Sequence, residues 1–131
     1  MHWIFYSFVY FFICAVAFAQ EYPFVNYTPK DGLANSLVKS AFQDSKGRMF
    51  FLTHTGLSVY DGTRFKNYTQ SSGLANDIVN DIFEAGQASV LIATNTGVLN
   101  TLVHGKTGIY QTSDGFCPVI NHFFKSRDNN L

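Results

Sequence analysis

A 41-residue internal repeat constrains this chain more than any other feature of its 131 residues. Tyr27-Thr28 followed by Gly32-Leu33-Ala34-Asn35 returns as Tyr68-Thr69 followed by Gly73-Leu74-Ala75-Asn76. Held without a gap, the offset also aligns Val38 with Val79, Phe42 with Phe83, Thr53 with Thr94, Thr55 with Thr96 and Gly56 with Gly97. That makes eleven identities between residues 27–59 and 68–100, where average composition would give roughly two or three. Apolar positions keep the register: Leu37 with Ile78, Met49 with Val90, Phe50 with Leu91, Phe51 with Ile92. A third copy starts at Tyr110 and carries Asp114-Gly115-Phe116 at an offset of 42. Units of this kind cannot bury their apolar faces alone, so they must stack.

The period suits a propeller blade of four antiparallel strands, and it also overlaps the helical HEAT and armadillo repeats. Residue type decides between them. Leu37–Phe42 and Met49–Leu52 are short apolar runs bounded by turn residues, as strands are. Asp44-Ser45-Lys46-Gly47 between them reads as a hairpin loop. Thr55-Gly56 and Asp61-Gly62 bound two further segments, Leu57–Tyr60 and Arg64–Tyr68, and Asp-Gly favours a two-residue turn because Gly takes positive φ. No stretch of ten residues shows a Gly-free helical period. The composition agrees, with 17% aromatic residues and 10 Gly. The expected class is all-β: propeller blades of four antiparallel strands, incomplete, with two blades and part of a third.

Charge excludes other classes. Nine basic residues balance nine acidic ones, which leaves no electrostatic basis for nucleic-acid binding. At 47% hydrophobic and 14% charged, the chain is too apolar for disorder. All charged residues lie beyond residue 20, and the run Trp3–Ala19 ends in Ala17-Phe18-Ala19. Residues 1–19 therefore read as a secretory signal peptide, leaving Gln20 as the mature N-terminus. The alternative is an inner-membrane anchor over residues 3–19, short for a span of about twenty. After cleavage Cys117 is the one remaining cysteine, expected to be buried beside Phe116 and Pro118. The mature part, 20–131, divides into a strand at 24–28, a blade at 29–69, a blade at 70–111 and an incomplete blade at 112–131. Phe24–Tyr27 matches a fourth strand whose own first three strands are absent, the kind of orphan strand that completes the last blade of a closed ring.

No catalytic, metal or cofactor site is expected. His54, His104 and His122 are widely spaced and lack a cysteine partner, so no zinc pattern arises. Asp77, Asp81 and Glu84 lack the ordered ligand spacing of a calcium loop. Asp31, Asp61 and Asp114 each precede Gly and read as turn residues rather than general acids or bases. The same structural role is assigned to Gly32, Gly47, Gly56, Gly62, Gly73, Gly97 and Gly115. His54 and its repeat mate Asn95, with Asn35 and Asn76, fall on loops that would share one face of the stack. They are the candidate ligand-facing residues; turn capping and a solvated His are the competing account.

The pattern Tyr27-Thr28, Asp31-Gly32-Leu33, Val38, Asp44-Ser45-Lys46-Gly47, Thr55-Gly56-Leu57-Ser58, Tyr60-Asp61-Gly62, Phe65, Tyr68-Thr69 resembles the two-component regulator propeller repeat. The family usually has Trp where Phe50 and Leu91 stand and Gly where Leu52 and Ala93 stand, and the second copy replaces the Asp-x-x-Gly turn with Ala85-Gly86-Gln87-Ala88. The resemblance implies an extracytoplasmic ligand-sensing fragment of a two-component sensor, periplasmic and without catalysis in this segment, its parent carrying a histidine kinase. It further implies an oligosaccharide ligand, further blades of the same parent chain, and dimerisation through the parent. Two other classes are open: a secreted propeller enzyme of lyase or hydrolase type, and a structural or adhesive propeller.

Overall fold

The computed structural model describes residues 23–86, 89–110 and 118–125. It contains eight strands in two four-stranded antiparallel sheets, each ordered as its strands follow in the chain. Blade 1 is β1 (Val38–Gln43), β2 (Met49–Thr53), β3 (Gly56–Tyr60) and β4 (Phe65–Tyr68). Blade 2 is β5 (Val79–Gly86), β6 (Ser89–Thr94), β7 (Leu99–Val103) and β8 (Lys106–Tyr110). The helical pieces among the described residues are two short 3-10 turns, Pro29–Asp31 and Gln70–Ser72, one before each blade. The chain is thus all-β, and its sheets stack as partial propeller blades.

Alternation sets which residues meet. In blade 1 the register pairs Phe42 with Phe50, Phe50 with Val59, Leu52 with Leu57, and Leu57 with Tyr68, which puts all six on one face. That face packs on Val79, Ile82, Val90, Ile92 and Leu102 of blade 2, with Leu74 of the connecting segment between them, to form the core. Phe50 and Ile92 have no exposed surface. The opposite face of blade 1 carries Phe51, Tyr60 and Phe65, only half-buried, with the Tyr27 ring against Tyr60 and Phe65. The opposite face of blade 2 meets the segment 118–125, where Phe83 and Phe123 lie 5.9 Å apart. Contacts therefore run one way through the stack, each blade using a different face toward each neighbour.

Both connecting segments fold alike because their sequences match. Thr28 and Thr69 cap the two 3-10 turns, their backbone N–H groups donating to Asp31 and Ser72 respectively. Gly32 and Gly73 end them at φ 106° and 98°, a region open to glycine at little cost. A Cβ on Gly73 would also press on Thr107 Oγ1 at 2.5 Å. β1 and β5 share a register break, at Val38/Ser40 and Val79/Asp81.

Three expectations change. Residues 24–28 form no strand, because a strand needs a ladder partner and none faces this segment among the described residues. Asp61-Gly62 opens a four-residue loop closed by Asp61 N–H to the Arg64 carbonyl, since Asp61 recruits Thr63 and Arg64. The two-residue turn with both φ positive occurs instead at His104-Gly105, at 49° and 76°. Finally, Gly56 and Gly97 are not structural mates. Leu52 pairs with Leu57, whereas Ala93 pairs with Leu99, so the second turn is one residue longer and the offset becomes 42 from there on. In the third copy, residues 118–125 are described and carry no strand. The proposed signal peptide, Asp114, Gly115 and Cys117 lie outside the described residues, as does the connection at 87–88. No described helix is long and apolar enough to cross a membrane.

Candidate functional site

Each sheet has two ends, and the loops sort between them by topology. The β2–β3 turn and the lead-in to β1 meet at one end, where Thr55 Oγ1 donates to the Ala34 carbonyl at 3.3 Å. In blade 2 the same end is joined by Asn95 N–H donating to the Ile78 carbonyl at 3.1 Å. His54, Asn95, Asn35 and Asn76 all fall at this end, the first two exposed on turns. Asn35 and Asn76 have structural work there: each Oδ1 accepts the backbone N–H two residues on, Leu37 and Ile78, both at 2.8 Å. The local reason is the Asx turn, in which a short side chain closes its own backbone before a strand begins. So the repeat presents one identical Asn turn per blade and varies the neighbouring turn residue, His in blade 1 and Asn in blade 2.

Buried polar anchors that sequence reasoning missed hold this end together. Ser58 Oγ accepts Ala34 N–H at 2.9 Å and donates to Asn67 Oδ1, while Asn67 Nδ2 donates to the Gly32 carbonyl. In blade 2 one residue does the work of both. Asn100 Oδ1 accepts Ala75 N–H, and its Nδ2 donates to the carbonyls of Gly73 and Gly108. Ser58 and Asn100 are fully buried, so these bonds replace water that the site excludes. The signal was hidden because an ungapped offset sets Ser58 against Leu99 and Val59 against Asn100.

The opposite end is electrostatic. Asp44, with a side chain 1% exposed, accepts the N–H groups of Lys46 and Arg48 and pairs with the Arg48 guanidinium at 2.7 Å. Gly47, at φ 79°, closes the same hairpin by donating to the Asp44 carbonyl. Across the blades, the Glu84 carboxylate accepts Ser45 N–H and hydroxyl. Lys66 Nζ and the Tyr68 hydroxyl donate to the Gly105 carbonyl. Thr63's hydroxyl, with the N–H groups of Arg64 and Thr63, holds the Asp61 carboxyl well below the usual carboxylate range. The Thr28 hydroxyl and N–H lower Asp31 likewise. The hydroxyl bond with Tyr27 raises Tyr60.

The three acids considered for a cation are dispersed in use. Asp77 accepts Gln70 N–H, Asp81 accepts Phe123 N–H at 2.8 Å with His122 Nδ1 at 3.7 Å, and Glu84 serves Ser45. Among the described residues no three His, Cys, Asp or Glu side chains group as a metal site.

No protein-family model matches the chain, and no curated protein matches it. Among solved structures the chain is similar to the extracellular domain assigned to a hybrid two-component system of B. thetaiotaomicron, with a TM-score of 0.64 and 28% sequence identity. The match covers 80% of this chain and 16% of that one, so these 131 residues span about a sixth of the solved protein's length.

Proposed function

We propose that this chain is part of an extracytoplasmic sensory propeller of the two-component regulator type, binding a glycan-derived ligand at the end of the sheets that carries His54 and Asn95. The likeness to the extracellular domain of a hybrid two-component system carries the reading, because it spans 80% of the chain at 28% identity. The geometry supports the location. That end offers repeated, rigidly capped turns with variable polar tips, and binding groups suit loops that a stiff scaffold positions. The other end is committed to holding blades together. On this reading the chain is exported after cleavage behind Ala19, and output comes from other parts of the protein.

The test is binding by the exported protein. Isothermal titration against neutral and acidic oligosaccharides is expected to show one saturable ligand class, weakened by His54→Ala with Asn95→Ala while the melting temperature without ligand stays the same. Failure of every oligosaccharide to bind would sink the ligand assignment. Release of shortened sugars during titration would replace sensing with the hydrolase or lyase alternative. Mass spectrometry of the periplasmic fraction tests export, the expected N-terminus being Gln20.

A further inference from the structure

We infer that Lys39 gives the candidate ligand end its specificity for an acidic saccharide, the ammonium pairing with a carboxylate or sulfate on the sugar. The inference rests on the reading above that a saccharide binds at the His54 and Asn95 end, and it names the charge of that ligand.

One bulge occurs twice. In β1 Val38 pairs with Thr53 and Ser40 with Leu52, so Lys39 is an extra residue without a partner across the ladder. In β5 Val79 pairs with Thr94 and Asp81 with Ala93, which leaves Asn80 in the same position. Both strands are edges of their sheets. A bulge at an edge takes a side chain out of the alternation and aims it anew.

The two bulged residues are used differently. Asn80 Nδ2 donates to the Ile120 carbonyl at 3.1 Å, and Asp81 beside it accepts the N–H groups of Ile82 and Phe123. The β5 bulge is thus spent on fastening residues 118–125 to blade 2. Lys39 is exposed and pairs with no acid among the described residues. Ser40 stands where Asp81 stands, and β1 carries no carboxylate of its own to neutralise the lysine. The acids of the two connecting segments are taken up locally, Asp31 by Thr28 and Asp77 by Gln70 N–H.

Position ties this cation to the ligand end. Val38 lies opposite Thr53, the residue before His54, so Lys39 stands one residue into β1 from that turn. Asn35 fixes the lead-in by accepting Leu37 N–H. Leu37 and its repeat mate Ile78, each two residues before the bulged position, are 65% and 44% exposed. Apolar surface beside a single cation suits a sugar ring, whose C–H groups cover the one while its acid group meets the other. A bare anion would gain only the second contact.

Isothermal titration of the exported protein tests this with four probes: an oligogalacturonide, its carboxyl-reduced form, a sulfated oligosaccharide of the same length, and sodium sulfate. One or both acidic sugars are expected to bind more tightly than the reduced one, and the tighter of the two identifies the acid group. Lys39→Gln should weaken acidic sugar binding about 10-fold and leave the reduced sugar unchanged, while Lys39→Arg keeps the discrimination. High salt should lower the unaltered protein's affinity toward that of Lys39→Gln. The melting temperature without ligand should not move, since Lys39 is exposed. Equal affinity for acidic and reduced sugars, or equal loss of both in Lys39→Gln, would overturn the inference and leave the saccharide reading standing. Failure of every sugar to bind would overturn both. Sodium sulfate binding as tightly as the sugars would reduce Lys39 to a general anion contact, against the inference. Self-association of Lys39→Gln with unchanged sugar affinities would make the lysine a guard of the sheet edge, also against it.

Discussion

β1 and β5 hold the same place in consecutive repeats, break register at the same point and begin with the same residue, yet their surroundings differ. Val38 is 40% exposed and Val79 is 1% exposed. β5 lies between blade 1 on one face and residues 118–125 on the other, held there by Asn80 to the Ile120 carbonyl and Asp81 to Phe123 N–H. Among the described residues β1 has blade 2 on one side, while Val38 on the other stays partly exposed. The lesson is that a blade's sequence specifies strands and register, while burial depends on what occupies each face.

Neighbouring residues on opposite faces of β2 give the largest test. Phe50→Ala, emptying the space between the blades, should cost about 3–5 kcal/mol, whereas Phe51→Ala on the half-covered face should cost about 1 kcal/mol. Urea midpoints measure both. Equal losses would mean the two faces are packed alike. Next come the polar anchors. Asn100→Ala strands Ala75 N–H and two carbonyls and should cost about 2–3 kcal/mol. Ser58→Ala should cost about 1 kcal/mol, because Asn67 still serves the Gly32 carbonyl. The β1/β5 comparison itself is sharpened by Val79→Ala, worth about 2 kcal/mol from lost burial and the cavity left behind. Val38→Ala should stay within about 0.5 kcal/mol.

Period and residue type were enough to read the stack of four-stranded sheets, because alternation and turn chemistry are local and the repeat supplied them twice. What escaped was what depends on partners or on single insertions. The extra residue in the β6–β7 turn shifts the offset by one, which hid the shared role of Ser58 and Asn100. His104 at φ 49° makes the tight hairpin that Asp-Gly favours, whereas Asp61 engages Thr63 and Arg64 with its carboxylate and widens its own loop. At the candidate ligand end the four residues fall on turns and lead-ins, and nothing in Asn35 or Asn76 distinguishes a ligand contact from the Asx turn that each makes.

The two blades should also part in acid. Blade 1 carries Asp31 and Asp61 in its turns, both with carboxyls held below their ordinary range. Blade 2 has Ser72 where Asp31 stands and the His104-Gly105 turn in place of the Asp61 loop. A carboxylate whose folded pKa lies below its unfolded value of about 3.9 contributes stability that is complete above that value. The contribution falls away as pH drops from about 4 through the folded values, when the accepting oxygens take up protons. Amide exchange at residues 61–64 should therefore accelerate at low pH relative to the intrinsic rate, while residues 104–105 follow the global stability of blade 2. Asp31→Asn with Asp61→Asn should remove the difference between the blades. Matching acid profiles in the unaltered protein would show that these exposed carboxylates, bonded as they are, do not govern how blade 1's turns open.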